Sequence, residues 1–255
     1  MYDLIKQWFQ NRIVKNSTIT DDKWQQAISM LPLLKGLNKD ELQRLKKLSI
    51  LFIHKKEFEG ARGLVLNQDM ILLITLQACL PILNIGLRKY NKWYTVVVYP
   101  TTFITKRSVT DENGIVHSEE SNLLGEAWHK GPVILAWDET ETAGIIDGHN
   151  LVIHEFSHKL DMLNGVANGF PPLHFGMKRK HWVKAFTKGF EHFEKRCLKA
   201  DLFGISCYAA TSPAEFFAVF SEVFFERPAI IHKHYPDIYR QLSLYYRQSP
   251  IDRLT

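Results

Sequence analysis

The sequence predicts an α+β fold in which helices come first, a mostly antiparallel sheet follows, and helices return at the end. Three observations point there. Residues 1 to about 60 show amphipathic periodicity with helix-capping signals. Residues 93–139 switch to β-branched and aromatic runs broken by a turn signal. Beyond Asp147 the helical period returns, and one segment is apolar nearly all round. The chain has 255 residues, 45% hydrophobic and 23% charged, which is an ordinary globular composition with enough length for a substantial core.

Thr20 is placed to cap a helix running to about Met30, and Pro32 stops it. Asn38 and Glu41 have capping-box spacing ahead of LQRLKKLSILFIHKK. Gly60 and Gly63 punctuate EFEGARG, which reads as a linker. A boundary there separates an N-terminal helical region, residues 1–66, from a core of residues 67–255. MILLITLQACLPILNIGL (70–87) is apolar and long enough to be tested as a membrane span. Gln77, Pro81, Asn84 and Gly86 fit lipid poorly, so a buried helix near 69–80 is expected, with no membrane partner.

WYTVVVYP (93–100) and TFITKRSVT (102–110) read as strands. Asp111, Glu112, Asn113 and Gly114 form a hairpin-turn signal, and IVHSEES returns from it. GPVILAWDE (131–139) is a further strand, either core sheet or an edge that pairs with an extended substrate. After Asp147 and Gly148 comes a helix with apolar Val152, Ile153, Phe156 and Leu160, for which Gly165 is the stop signal. NGVANGFPPLHFG (164–176) is a loop; helices follow over about 178–196 and 213–226, then an aromatic C-terminal tail.

A net charge of +5 is mild, and the Lys and Arg residues are scattered rather than striped, so direct nucleic-acid binding is not expected. Cys79, Cys197 and Cys207 are far apart and form no CxxC pair. Reduced thiols are expected, and no thiolate zinc site. The opening MYDLIKQWFQNR lacks a clean apolar core and carries Asp3 and Lys6, so a secretory signal is not expected and a cytoplasmic location is.

The chemistry concentrates at His154, Glu155 and His158, the H-E-x-x-H pattern. Positions i and i+4 share a helical face, so both imidazoles can reach one metal ion. Glu155 is rotated by about 100° from His154, beside the metal, where it can take a proton from an activated water. The plain alternative is a helix that happens to carry two packed histidines. A catalytic zinc needs a third protein ligand and an open position. Asp161 and Asn164 stand where the H-E-x-x-H-x-x-G-x-x-H pattern has its glycine and its third histidine, so that ligand set is excluded. Asp161, three residues after His158 on the same face, could ligate but is better placed to orient a ligand histidine; the plain alternative is a helix-surface carboxylate.

The third-ligand candidate lies in CYAATSPAEFFAVFSEVFFERP. There Ser212 suits an N-cap, Pro213 the first helical position, and Glu215 either a capping box or the metal. Glu215 and Glu222 share one face of a helix otherwise apolar, and buried carboxylates need a cation or donors. Glu222 is a further candidate for supporting a ligand histidine. Tyr208, seven residues before Glu215, is either a packed core residue or a donor to a developing oxyanion.

HEFSHKLDMLNGVANGFPPL together with YAATSPAEFFAVFSEVFFERP resembles the Mlc titration factor A family of bacterial zinc metallopeptidases, whose core is similar to the protease domain of anthrax lethal factor. The resemblance covers about residues 95–230. It implies a zincin-like core of gluzincin type holding one Zn2+ per chain. His154, His158 and Glu215 would be its ligands, Glu155 the general base and Tyr208 the oxyanion donor. It also implies a cytosolic peptidase with aminopeptidase-type substrates, and an Mlc-like transcriptional repressor as a partner beside the peptide or protein substrate. Where a thermolysin-like enzyme has an Asp four residues after the third ligand, this chain has Val219, leaving Asp161 and Glu222 to support the site.

Overall fold

Capping side chains start the N-terminal helices. In the computed structural model, residues 2–110, 116–123, 125–127, 131–142, 145–200 and 202–254 are described. Helix α1 (Tyr2–Lys15) leads into α2 (Asp21–Ser29), whose N-cap Thr20 accepts a hydrogen bond from Lys23 N. Helix α3 (Lys39–Lys55) opens with the reciprocal capping box of Asn38 and Glu41, two orphan donors satisfied at once. The expected linker instead contains β1 (Glu57–Gly60), which joins the main sheet. Its glycines serve a tight turn after the strand: a Cβ on Gly60 would lie 1.9 Å from Leu64 O, and Gly63 has φ +81°. Helix α4 (Gln68–Cys79) is capped by Asn67 and buried at Met70 and from Leu72 onward. None of the described helices is long and apolar enough to cross a membrane.

The sheet corrects an expectation. It runs β1–β2–β6–β5, with β2 (Thr95–Tyr99), β5 (Gly125–Ala127) and β6 (Val133–Ala136). β1 pairs with β2 and β2 with β6 in parallel; only β5 is antiparallel to its neighbour. The main sheet is therefore small and mostly parallel, not mostly antiparallel. Parallel neighbours need a long crossover. Helix α4 with its flanking loops supplies one between β1 and β2. Between β2 and β6 the chain inserts β3 (Phe103–Thr110) and β4 (Val116–Leu123), which form a separate antiparallel pair. The expected turn at Asp111–Gly114 lies outside the described residues. In GPVILAWDE only Val133–Ala136 is strand, and it sits inside the sheet, so it is not the edge that an extended substrate would pair with. Trp137 already starts helix α5 (Trp137–Glu141).

Helix α6 (Leu151–Asp161) carries the histidines and is buried on every face. Its back is held by aromatic packing. Phe156 meets Phe52, Tyr90 and Trp93 at ring-centroid distances of 5.7, 5.2 and 5.5 Å. On the other side α6 packs against α8 (Pro213–Glu226), a helix of phenylalanines enclosed by α7 (Arg179–Cys197) and by a C-terminal pair. The expected aromatic tail is that pair, α9 (Pro228–His234) and α10 (Pro236–Tyr246), each started by a proline at its first position.

The cysteines correct a second expectation. Cys197 at the end of α7 and Cys207 form a disulfide with Cα atoms 5.7 Å apart, while Cys79 is free and buried. The intervening loop folds back through left-handed residues Ala200, Phe203 and Gly204, which closes a separation of 10 residues.

Truncating Phe156 to Ala should destabilise the protein by about 3–5 kcal/mol and lower its melting temperature by roughly 10 °C, since the four-ring cluster cannot collapse onto the void. A calorimetric shift under about 3 °C would show that α6 is not anchored by this cluster.

Candidate metal centre

A helix buried on all sides must satisfy each polar side chain it carries. Helix α6 does so from its cap onward. Asn150 Oδ1 accepts from Ile153 N (3.0 Å) as the N-cap. Its Nδ2 donates to Gln77 Oε1 on α4 (2.8 Å) and to Glu226 Oε1 on α8 (2.9 Å). The start of α6 is thus tied to both neighbours before the histidines begin.

His154, His158 and Glu215 converge: one ligand atom from each lies within 4.8 Å of the others. His154 Nε2 is 2.9 Å and His158 Nε2 is 3.2 Å from the same oxygen, Glu215 Oε2, and the two Nε2 atoms are 3.2 Å apart. Tetrahedral zinc, with ligand bonds of about 2.0–2.1 Å, separates its ligand atoms by about 3.3 Å, so the N, N, O set fits that ion. Ser212 Oγ accepts from Glu215 N (3.2 Å), placing Glu215 in the first turn of α8 while its carboxylate turns to the histidines. Backbone capping and metal-directed side chain are therefore compatible.

Glu222 lies one face-repeat further along α8 and is 1% exposed. Its Oε1 accepts from His154 Nδ1 at 2.7 Å, which leaves His154 Nε2 free to face the cluster. Its Oε2 accepts from Asn150 N at 2.5 Å and from His149 Nδ1 at 3.2 Å. Asp161 does something else. Its Oδ2 accepts from Asn168 N and Gly169 N, both at 2.7 Å, holding the loop after α6. Gly169 has φ +75°, and a Cβ there would lie 2.3 Å from Pro213 O, so the loop rests on the start of α8 next to Glu215. Among the described residues, His158 Nδ1 and Asp161 Oδ1 are buried without a hydrogen-bond partner.

Glu155 is 4% exposed and its Oε2 is buried without a partner. Burial raises its pKa, against the pull of His154 and His158. Burial opposes charge on His154, but Glu222 and Glu215 outweigh it and hold the imidazole well above its usual value. Burial likewise opposes charge on Glu215, and its bonds to His154 and His158 overcome it, leaving the carboxyl well below the usual range. Glu226 is pushed up to about 7 by burial. A cavity of about 630 Å3 opens beside the cluster, lined by His154, Glu155, Leu151, Leu202, Ile205 and Tyr208 among others. Tyr208 is half exposed at this cavity, its ring 6.0 Å from that of His154.

The structure thus brings His154, His158 and Glu215 into one cluster, sets His154, Glu155 and Tyr208 on the cavity beside it, puts Glu222 behind His154, and turns Asp161 to the loop. Sequence reasoning missed His149, Asn150, Gln77 and Glu226. The signal for Glu226 was present: it lies four residues after Glu222, one turn on in the same apolar helix.

Residues 5–247 match the family described as glucose-regulated metallo-peptidase M90. The chain is 34% identical over 236 residues to "Mlc titration factor A" of Yersinia enterocolitica serotype O:8 / biotype 1B, covering 91% of this chain and 87% of the relative. It is 35% identical to the proteins of the same name from Yersinia pestis (strain Pestoides F) and Yersinia pseudotuberculosis serotype O:1b, over 91% of this chain and 86% of each relative.

The charges here imply a pH dependence without metal. His154, raised above the ordinary imidazole value of 6.5, contributes stability that is present below that value and lost as pH rises through its folded pKa. Glu215, lowered from 4.5, contributes stability that is present above 4.5 and lost as pH falls through its folded pKa. Glu155 and Glu226, both raised, also lose stability as pH rises. In chelator, the melting temperature should peak between about pH 4.5 and 6.5 and fall on the alkaline side. A flat profile between about pH 6 and 9 would refute this.

Proposed function

Because this chain belongs to the glucose-regulated metallo-peptidase M90 family, we propose that it is a zinc-dependent peptidase of gluzincin type that hydrolyses peptide bonds in the cytoplasm. The observation that carries the proposal is the convergence of His154 Nε2, His158 Nε2 and Glu215 Oε2 within 3.2 Å of one another, beside an apolar cavity. His154, His158 and Glu215 would hold one Zn2+ per chain. Bound there, zinc would polarise a scissile carbonyl and lower the pKa of a water to around 7.

The protein's own groups do the rest. Glu155, one residue after His154 and buried at the cavity, takes the proton of the attacking water and later gives it to the leaving amine. The Tyr208 hydroxyl donates to the oxyanion from the cavity mouth. Glu222 fixes the His154 tautomer through Nδ1. The family resemblance adds an aminopeptidase-like preference for short substrates.

A second reading is favoured by the name of the relatives, Mlc titration factor A. In it the chain is a regulatory protein that sequesters an Mlc-like transcriptional repressor, with hydrolysis secondary. Helix α1 presents Leu4, Ile5, Trp8 and Phe9 to solvent, an apolar stripe of the kind that protein partners cover.

Glu155→Ala should retain one zinc per chain by metal analysis while cleavage of a peptide library falls by about 10²–10⁴-fold. Wild-type rates in that variant would overturn the peptidase mechanism. Calorimetric titration of a purified Mlc-like repressor into both forms separates the readings. Equal affinity for wild type and Glu155→Ala supports sequestration independent of catalysis, and no binding to either removes the second reading.

A further inference from the structure

His149 donates to Glu222 and takes no part in the proposed reaction. It lies in the segment before α6, with its backbone N–H donated to Asp147 Oδ1 at 2.9 Å. Its ring reaches two carboxylates on different helices. Nδ1 is 3.2 Å from Glu222 Oε2 on α8, and Nε2 is 3.6 Å from Glu139 Oε2 on α5. The side chain is 45% exposed and lines the same cavity as His154, Glu155 and Tyr208.

The position of Glu222 depends on what grips its second oxygen. Oε1 is committed to His154 Nδ1. A carboxylate orients an imidazole well only if its own plane is held, because rotation about its Cγ–Cδ bond moves both oxygens together. The Asn150 backbone N–H gives Oε2 one fixed donor, and His149 Nδ1 gives it a second from another direction. Glu139 Oε2 faces the far edge of the His149 ring at 3.6 Å, an ion pair when the imidazole is protonated and too long for a hydrogen bond.

We propose that His149 is a positioning residue for the metal centre: through Glu222 it fixes the orientation of His154 and so raises the affinity of the site for zinc. It touches neither the metal ligands' donor atoms nor the reacting atoms. The inference rests on the zinc reading of His154, His158 and Glu215. The chain Glu139–His149–Glu222–His154 joins α5, the segment before α6, α8 and α6, so an ordinary surface histidine is replaced by one that couples four parts of the fold.

The test measures zinc affinity by competition with a chromophoric chelator for wild type, His149→Ala and His149→Asn, alongside metal-free melting temperatures and kcat and KM on a peptide substrate. The Asn amide nitrogen stands near the place of Nδ1. His149→Ala should bind zinc about tenfold more weakly, and His149→Asn should recover most of that loss. Both should melt within about 2 °C of wild type without metal, and kcat should fall with KM little changed. Undiminished affinity in His149→Ala, or equal losses in both variants that track the metal-free melting temperature, overturns the inference. A wild-type chain that binds no zinc overturns the function proposed above, and with it the premise of this step.

Discussion

One buried carboxylate organises the centre of this protein. Glu222, 1% exposed, accepts His154 Nδ1, Asn150 N and His149 Nδ1. A carboxylate taken that far from water is costly unless donors replace its hydration, and removing a partner from such a group costs about 3–5 kcal/mol. The donors it recruits are the backbone and ring just before α6 and the first of the two clustered histidines. The interaction that stabilises Glu222 is thus the one that aims His154. It also sets the distance between α6 and α8, on which the approach of Glu215 depends.

The rest of the molecule serves that pairing. Five of the 14 residues of α8 are phenylalanine and every residue from Phe216 to Glu226 is buried, while Glu222 lines the cavity. Behind α6, Phe156 sits among Phe52, Tyr90 and Trp93, and Lys56 lies 3.7 Å over the Trp93 ring while donating to the carbonyl oxygens of Tyr90 and Trp93. Burial, with Lys159 nearby, lowers the Lys56 pKa to about 7. At the far end of α6, Asp161 clamps Asn168 and Gly169, and Gly169 rests on Pro213 beside the Glu215 turn. Both ends of the histidine-bearing helix therefore grip the helix that bears the carboxylates.

Much of the centre was legible because it is local. His154 and His158 share a face by helical geometry, and Ser212, Pro213 and Glu215 announce a helix start whose third residue can look elsewhere. What escaped was non-local. From the sequence Asp161 is the better-placed candidate for supporting a histidine and Glu222 the weaker one. The structure puts Glu222 on His154 and Asp161 on the loop, because helix crossing decides which carboxylate arrives. His149 carried no periodic signal at all, since it precedes the helix and acts through a residue 73 positions away.

By itself the sequence determined the helix starts at Thr20 and Asn38, the buried character of α4, the spacing of the histidines and the two-sided apolarity of α8. Each follows from hydrogen bonds or periodicity within a few residues. Only the tertiary structure decided that the sheet is mostly parallel, that Glu57–Gly60 is a strand rather than a linker, and that Cys197 meets Cys207. It also decided which acid stands behind which histidine. Those outcomes depend on long crossovers and on side chains meeting across elements, and a strand, a thiol or a carboxylate reads the same in one dimension whichever neighbour it will find.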